Sequence, residues 1–290
     1  MFRVHRLDSF DAPELTPYKT MRQQRDHHDQ RIFIAEGEKV VRRLLESEFP
    51  VVSALMPEKW VPQLAPLLEA RTEDVPVYLA EKDVLEQLTG FSMYQGVLAV
   101  GRIPTLPTLN SVLALSPRPH LFAAVDELNN SENLGVLVRN CAAFGVHALI
   151  VGETCSSPFL RRSVRASMGT IFKLPVVEPT CLADTIRDLR QHGVRCLAAH
   201  PHAEQRTLYD ADLSGDCCLV FGSEGLGITP GVLDACDEHV AIPMHTGVDS
   251  LNVGSASAVF LAEANRQRWR SGAEPRARNS AASKTAGPVG

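Results

Sequence analysis

The residue types best suited to chemistry fall in three short segments of the second half of the chain. They are Asn133-Leu134-Gly135-Val136-Leu137-Val138-Arg139, Phe221-Gly222-Ser223-Glu224-Gly225-Leu226-Gly227, and Ile242-Pro243-Met244 with Ser250-Leu251-Asn252-Val253. Each stands where an apolar run gives way to a loop or helix. Ligands of open α/β sheets bind beyond the strand carboxyl ends, so three polar, glycine-bearing turns in succession predict one site assembled from distant pieces.

In the first segment, Asn133 precedes Leu134, Leu137, Val138 and Cys141, the apolar positions of one helix face, and Gly145 ends the run. This spacing predicts a helix over 134–144 with Asn133 as its N-cap. Gly135 and Arg139 stand four apart and share a face, which predicts room for a phosphate to approach the guanidinium. The plainer alternative is that Asn133 only caps and Arg139 only pairs with Asp126 or Glu127. In the second segment, a strand over 217–221 delivers three glycines around Glu224, and Thr229-Pro230 then opens a helix as N-cap and first-turn proline. Glycines let backbone amides approach a flat ligand closely. The Lys-Ser/Thr ending of a P-loop is missing, as are the spacing and early βαβ placement of a dinucleotide fingerprint, and an ordinary glycine-rich loop is the alternative. In the third, Ser250 and Asn252 read either as caps or as polar site groups. The small residues Gly254, Ser255, Ala256, Ser257 and Ala258 predict a helix approached closely by another backbone.

The elements that must position these segments alternate regularly. Strands are predicted at 121–125, 148–151, near 173–176, 194–199, 217–221 and 240–244, and helices at 134–144, within 158–168, and at 182–191, 230–236 and 251–269. Strands separated by helices give a mostly parallel sheet covered on both faces. Residues 31–100 read as a smaller α/β unit of their own, and Pro104, Pro107, Pro117 and Pro119 mark 102–119 as a linker with a short Leu109, Val112, Leu113 stripe. The expected organisation is an N-terminal domain over 1–101, this linker, a second domain over 120–270, and a disordered basic tail over 271–290.

With 290 residues, 44% of them hydrophobic, the chain has material for two cores. No stretch approaches the roughly 20 apolar residues that cross a bilayer, so a soluble, cytoplasmic protein is expected. All seven cysteines fall after residue 140 without disulfide or zinc spacing, which fits that compartment. The net charge of −5 opposes generic nucleic-acid binding, but two basic patches qualify it. Arg266, Arg268, Arg270, Arg276, Arg278 and Lys284 face only Glu274 near the C-terminus, and Arg161, Arg162 and Arg165 form a second cluster. His27-His28 and His200-Pro201-His202 lack neighbours at ligand spacing and read as loop histidines, so no metal is expected.

Together the three segments resemble the signature motifs of the SpoU/TrmH family of RNA ribose 2′-O-methyltransferases, within the SPOUT superfamily, with each motif's internal spacing intact. Phe33-Ile34-Ala35-Glu36-Gly37 and Gln95-Gly96-Val97-Leu98-Ala99-Val100 are similar to the opening and close of the family's N-terminal substrate-binding domain, a small ribosomal-protein-like α/β fold. Met93-Tyr94 stands where that family more often has a Ser/Thr-Pro pair, which alters the local turn. The resemblance implies an α/β fold whose SPOUT-type parallel-sheet catalytic domain carries a deep trefoil knot. It also implies S-adenosylmethionine as cofactor, rRNA or tRNA as partner, and a homodimer whose active site draws on both protomers, with no membrane and no metal.

By position, Gly222, Ile242 and Leu251 match residues whose backbones hold the adenosyl group, with Met244 nearby. Arg139 matches the catalytic arginine, Asn133 its supporting asparagine, and Glu224, Ser250 and Asn252 the polar shell. Because arginine stays protonated, Arg139 is expected to hold the phosphate beside the reacting ribose and stabilise the developing alkoxide, rather than act as a base. Lys19, Arg22, Arg25 and Arg31 are expected RNA contacts, although Asp26 and Asp29 interrupt them. A non-catalytic RNA-binding or ribosome-assembly factor with the same fold is the rival reading, and decay of the motif residues would be its mark.

Overall fold

Short apolar runs become strands in two sheets. The computed structural model describes residues 2–7, 12–21, 23–89, 96–203 and 206–272. The expectations for Arg22, for the Met93-Tyr94 turn and for the tail beyond residue 272 lie outside the described residues, as does the Arg25 side chain. The first sheet gathers β1 (Phe2–Arg6), β2 (Ile32–Glu36), β3 (Val51–Met56), β4 (Val75–Leu79) and β5 (Leu98–Arg102) in the order β1-β4-β3-β5-β2. β1 and β3 flank β4 in parallel, whereas β5 runs antiparallel to β2 and β3. The helices of this half are α1 (Thr16–Lys19), α2 (Gln24–Asp29), α3 (Glu38–Leu45), α4 (Val61–Glu69) and α5 (Lys82–Thr89).

The second sheet comprises β6 (Leu121–Val125), β7 (Ala148–Val151), β8 (Val176–Val177), β9 (Arg195–Ala199), β10 (Cys217–Phe221) and β11 (Glu238–Val240) in the order β11-β9-β10-β6-β7-β8. All of its pairings are parallel. β6, β7 and β10 are buried along their whole length, as expected of strands covered on both faces. The covering helices are α6 (Leu109–Leu115), α7 (Ser131–Ala143), α8 (Arg161–Ala166), α9 (Leu182–Gln191), α10 (Pro230–Ala235) and α11 (Val253–Ser271). After β6 the chain builds toward β8, and after β10 it builds toward β11. The carboxyl ends of β6 and β10 therefore flank a switch point.

Two predicted strands are displaced. Residues Thr170–Lys173 form a 3-10 turn entered through Gly169 at φ 78°, so β8 begins only after Pro175. β11 stops at Val240 because Pro243 has no N–H to continue the ladder, and the 242–244 stretch becomes loop. The stripe in the predicted linker is helical: Thr108 Oγ1 accepts the Ser111 N–H at 3.2 Å to cap α6, and Val112 joins the core beside Phe122 and Ile150. α11 continues through Ser271, past the expected helix end at 269.

Among the described residues, most of the arginines read as basic patches have partners within the chain. Glu36, 8% exposed at the end of β2, is held by Arg161 of α8 and, at 3.1 Å, by Arg165. The rings of Phe33, Phe49, Phe159 and Phe172 pack beside this clamp with centroids 5.3–6.1 Å apart, joining the two sheets. Arg31 donates to the Pro104 carbonyl at 2.7 Å and remains exposed. Arg266 pairs with Glu263. Arg268 is fully buried and donates to the carbonyls of Leu213, Pro119, His120 and Gly215 at 2.6–3.1 Å, tying α11 to the loops that precede β6 and β10. Arg268→Ala is expected to lower stability by about 3 kcal/mol, since a buried set of carbonyls loses its donor, and urea unfolding measures this directly.

Candidate active site

The loop after β6 is set by Asp126, 4% exposed, whose N–H donates to Phe221 O at 2.9 Å. Its Oδ2 accepts the backbone N–H and the hydroxyl of Thr229, both at 2.7 Å, which pins the start of α10 to the end of β6. Thr229 and Pro230 occupy the predicted N-cap and first-turn positions, with the threonine hydroxyl turned to Asp126. Asp126 is therefore not a partner of Arg139.

The N-cap of α7 is Asn130, not Asn133. Asn130 Oδ1 accepts the N–H groups of Glu132 and Asn133 at 3.0 and 3.2 Å, so the helix starts one turn earlier than its apolar periodicity indicates. This leaves the Asn133 side chain free for tertiary contact. Gly135 is likewise not open space for a ligand. A Cβ there would lie 2.5 Å from Ser163 O and 2.7 Å from Ala166 Cβ, so the glycine admits α8 against α7. Arg139 is exposed on the outer part of α7, and among the described residues no carboxylate pairs with it. Gly145, at φ 72°, ends the helix as predicted, with the Val146 N–H donating to Cys141 O at 2.9 Å.

In the second segment, Ser223 and Gly227 exchange backbone hydrogen bonds at 3.0 and 3.1 Å and close the loop on itself. A Cβ on Gly222 would lie 2.2 Å from the Gly227 carbonyl carbon, so loop closure, rather than ligand approach, demands this glycine. In the third, Asn252 caps α11 by accepting the Gly254 N–H at 2.9 Å. Its amide nitrogen donates to Asn133 Oδ1 at 3.1 Å and to Glu224 Oε1. One side chain thereby joins all three segments. The predicted close approach of backbones is real: a Cβ on Gly254 would lie 2.6 Å from Val136 Cγ1, and Asn140 donates to Gly254 O and Ser257 Oγ at 2.7 and 3.0 Å.

Beside this junction lies a cleft of about 540 Å³ including its mouth, at the carboxyl ends of β9, β10 and β11. Gly222, Ile242, Met244 and Leu251 all line it, together with Glu224 and Ser250. Its floor is apolar, where Phe221 and Phe260 meet edge to face at 5.7 Å. Asn133 reaches the site through Asn252, whereas Arg139 is not among the lining residues. Sequence reasoning missed the wall contributed by Ala199, His200 and Pro201 after β9; the signal available was the strand end itself. Burial, and then the neighbouring His239 and His202, hold His200 below the ordinary histidine range. The nearby thiols offer no nucleophile, since burial pushes Cys236 up to about 12.

The sequence profile of the SpoU rRNA Methylase family matches residues 120–262, the span that holds the sheet, the junction and the cleft. An uncharacterized tRNA/rRNA methyltransferase of Mycobacterium tuberculosis (strain CDC 1551 / Oshkosh) is 34% identical over 238 residues, covering 81% of each chain. This chain belongs to the SpoU rRNA Methylase family. The SpoU chain is also 33% identical, over 71% of its length and 86% of the relative's, to the 23S rRNA (guanosine-2′-O-)-methyltransferase RlmB of Salmonella typhi. It superposes with a TM-score of 0.77 and 25% identity on the crystal structure of an AdoMet-bound rRNA methyltransferase from Sinorhizobium meliloti, covering 91% of this chain and 98% of that one. The family resemblance read from the three motifs is thus borne out. For the SpoU junction, Asn252→Ala is expected to cost about 1 kcal/mol through the lost cap, while separating Asn133 from Glu224. Urea unfolding alongside cofactor titration distinguishes that small stability loss from the larger loss of site function.

Proposed function

We propose that this SpoU-family chain transfers the methyl group of S-adenosylmethionine to a ribose 2′-hydroxyl of RNA. The observation that carries the reading is the junction at Asn252, which brings the three motifs to the edge of one cleft. The likeness to the 23S rRNA (guanosine-2′-O-)-methyltransferase of Salmonella typhi and to the AdoMet-bound rRNA methyltransferase of Sinorhizobium meliloti supports the same chemistry. The cleft fits the cofactor: among the described residues, the backbone N–H groups of Gly222, Ile242, Met244 and Leu251 donate to nothing, while the apolar floor suits a flat purine. Bound there, S-adenosylmethionine supplies an electrophilic methyl group on a sulfonium.

The chain's own contribution is alignment and charge. The loops of Gly222, Ile242 and Leu251 hold and orient the nucleoside, and Asn252 fixes Glu224 and Asn133 at the mouth. Arg139, cationic and without a described carboxylate partner, is left to grip the RNA phosphate beside the reacting ribose and to stabilise the oxygen as it loses its proton. That it does not line the cleft of its own chain favours a homodimer in which it serves a shared site. Exposed apolar side chains around the motifs support this, with Leu226 83%, Val136 39%, Leu251 38% and Val259 37% exposed. In this reading residues 1–101 bind RNA, 102–119 connect, 120–270 form a knotted methyltransferase domain, 271–290 form a basic tail, and the enzyme works in the cytoplasm on rRNA or tRNA. The close packing of α11 on α7 is compatible with such a knot, and no described helix is long and apolar enough to cross a membrane.

Transfer of labelled methyl from S-adenosylmethionine to total ribosomal and transfer RNA tests the activity, with products mapped by resistance to alkaline cleavage. Arg139→Ala is expected to lower transfer about 100-fold or more with cofactor affinity unchanged, and Arg139→Lys to remain about tenfold below wild type. Near-normal turnover of the lysine variant overturns the phosphate-gripping role. Cofactor binding without label on any RNA favours the assembly-factor reading. In sedimentation, the protein is expected at twice its 31.7 kDa chain mass, and Val259→Asp is expected to shift it toward the monomer.

A further inference from the structure

His200 forms part of the cleft wall, and none of the three motifs accounts for it. It is the first residue after β9, and its backbone N–H donates to Val240 O at 3.0 Å, which fixes it between the ends of β9 and β11. It lines the same cleft as Gly222, Ile242 and Leu251 and also the groove behind it, which it shares with His202 and His239.

The surroundings of its ring favour the uncharged form on geometric grounds. Nδ1 of His200 accepts the backbone N–H of His202 at 3.2 Å. A ring nitrogen that accepts must keep its lone pair, so the single proton of the neutral ring resides on Nε2, and a second proton at Nδ1 would break this bond. The rings of His239 and His202 each stand 5.9 Å away, the first nearly parallel at 27° and the second edge-on at 71°. Arg206 lines the groove behind them.

The described carboxylates nearby already have partners. Asp237 pairs with Arg190 and accepts the Cys196 N–H. Glu238 pairs with Arg206 and Arg195, and Glu224 across the cleft accepts from Asn252. Among the described residues, a proton added to His200 thus meets two further imidazoles, and the one carboxylate that shares its cleft, Glu224, is held by the Asn252 amide. Burial, followed by the charges of His239 and His202, acts in the same direction and lowers its pKa below 6.5.

We propose that His200 is a cofactor-site residue whose neutral imidazole admits the positively charged sulfonium cofactor, and whose protonation in mild acid shifts the cleft's preference toward the thioether product. This rests on the reading of the cleft as the S-adenosylmethionine site. S-adenosylmethionine carries one more positive charge than S-adenosylhomocysteine and is otherwise closely matched to it, so a cation in the wall penalises the former selectively. The sign follows: the neutral form dominates at pH 7 and above, and the penalty grows as pH falls through the lowered pKa. Acidification would leave the enzyme held by its own product.

The test is isothermal titration of both nucleosides into the full-length protein at pH 7.5 and 5.5, for wild type, His200→Asn and His200→Gln, with circular dichroism confirming the fold at each pH. The asparagine Oδ1 can still accept the His202 N–H, and the glutamine preserves length, so either variant suffices if the other misfolds. Ionisations common to both ligands cancel in the ratio of their dissociation constants. For wild type the ratio of the S-adenosylmethionine dissociation constant to that of S-adenosylhomocysteine is expected to rise from pH 7.5 to 5.5, by less than about tenfold, and for the variants to stay flat. Tight binding of both ligands with a flat wild-type ratio, or a rise that survives in both variants, overturns the role of His200 alone. Failure of wild type to bind either ligand at pH 7.5 overturns the reading of the cleft, and this inference with it.

Discussion

The carboxamide of Asn252 has one oxygen and two amide hydrogens, and the fold uses all three. The oxygen caps α11 through the Gly254 N–H, and the nitrogen reaches Asn133 on α7 and Glu224 on the Gly222 loop. Because the cap fixes which end of the amide faces the helix, the nitrogen has only one direction left, toward the other two motifs. A hydrophobic side chain satisfies none of these demands, and a charged one can either accept for the cap or donate to the other two motifs, not both. The site's geometry depends on the start of α11 being where it is, and that start is itself set by close contact with α7 at Gly254 and by Arg268 at the far end of the helix.

Glycine contributes to this site through packing more than through ligand contact. Gly135 lets α8 lie on α7, Gly254 lets α7 lie on α11, and Gly222 lets the loop after β10 close on Gly227. The layers beneath the cleft are consequently rigid where the motifs converge. The chain extends this rigidity to the first sheet, since α8 also carries the two arginines that hold Glu36. A buried carboxylate with two cationic partners is costly to leave unpaired, which makes the relative placement of the two sheets specific without making it exceptionally stable.

The fate of the arginines reshapes the electrostatic picture. Arg161, Arg165, Arg266 and Arg268 are drawn into internal pairs or carbonyl cages, and Arg31 is turned to Pro104. Arg165 and Arg266 stay exposed at their ion pairs, and Arg139, Arg162 and Arg270 are exposed as well. With a net charge of −5, affinity for RNA must come from a few placed cations rather than from a general basic surface, so contact with phosphate serves positioning more than attraction.

Hydrophobic periodicity by itself determined β6, β7, β10 and α9 to the residue, because each is a local pattern of apolar spacing that no distant contact contradicts. The sequence also contained the three motifs in order, the family they belong to, and the N-cap role of Asn252. It misassigned the cap of α7, since Asn130 and Asn133 are both competent and only the docking of Asn133 onto Asn252 distinguishes them. It took Gly135 and Gly222 as openings for a ligand when both are filled by the protein's own backbone. It also read charged side chains as patches, because a one-dimensional charge run carries no information about which arginine will meet Glu36 or a cage of carbonyls. His200 remained hidden for the same reason: its place in the cleft is fixed by the crossing of β9 beside β10 and β11, a relation that exists only once the strands are ordered in space.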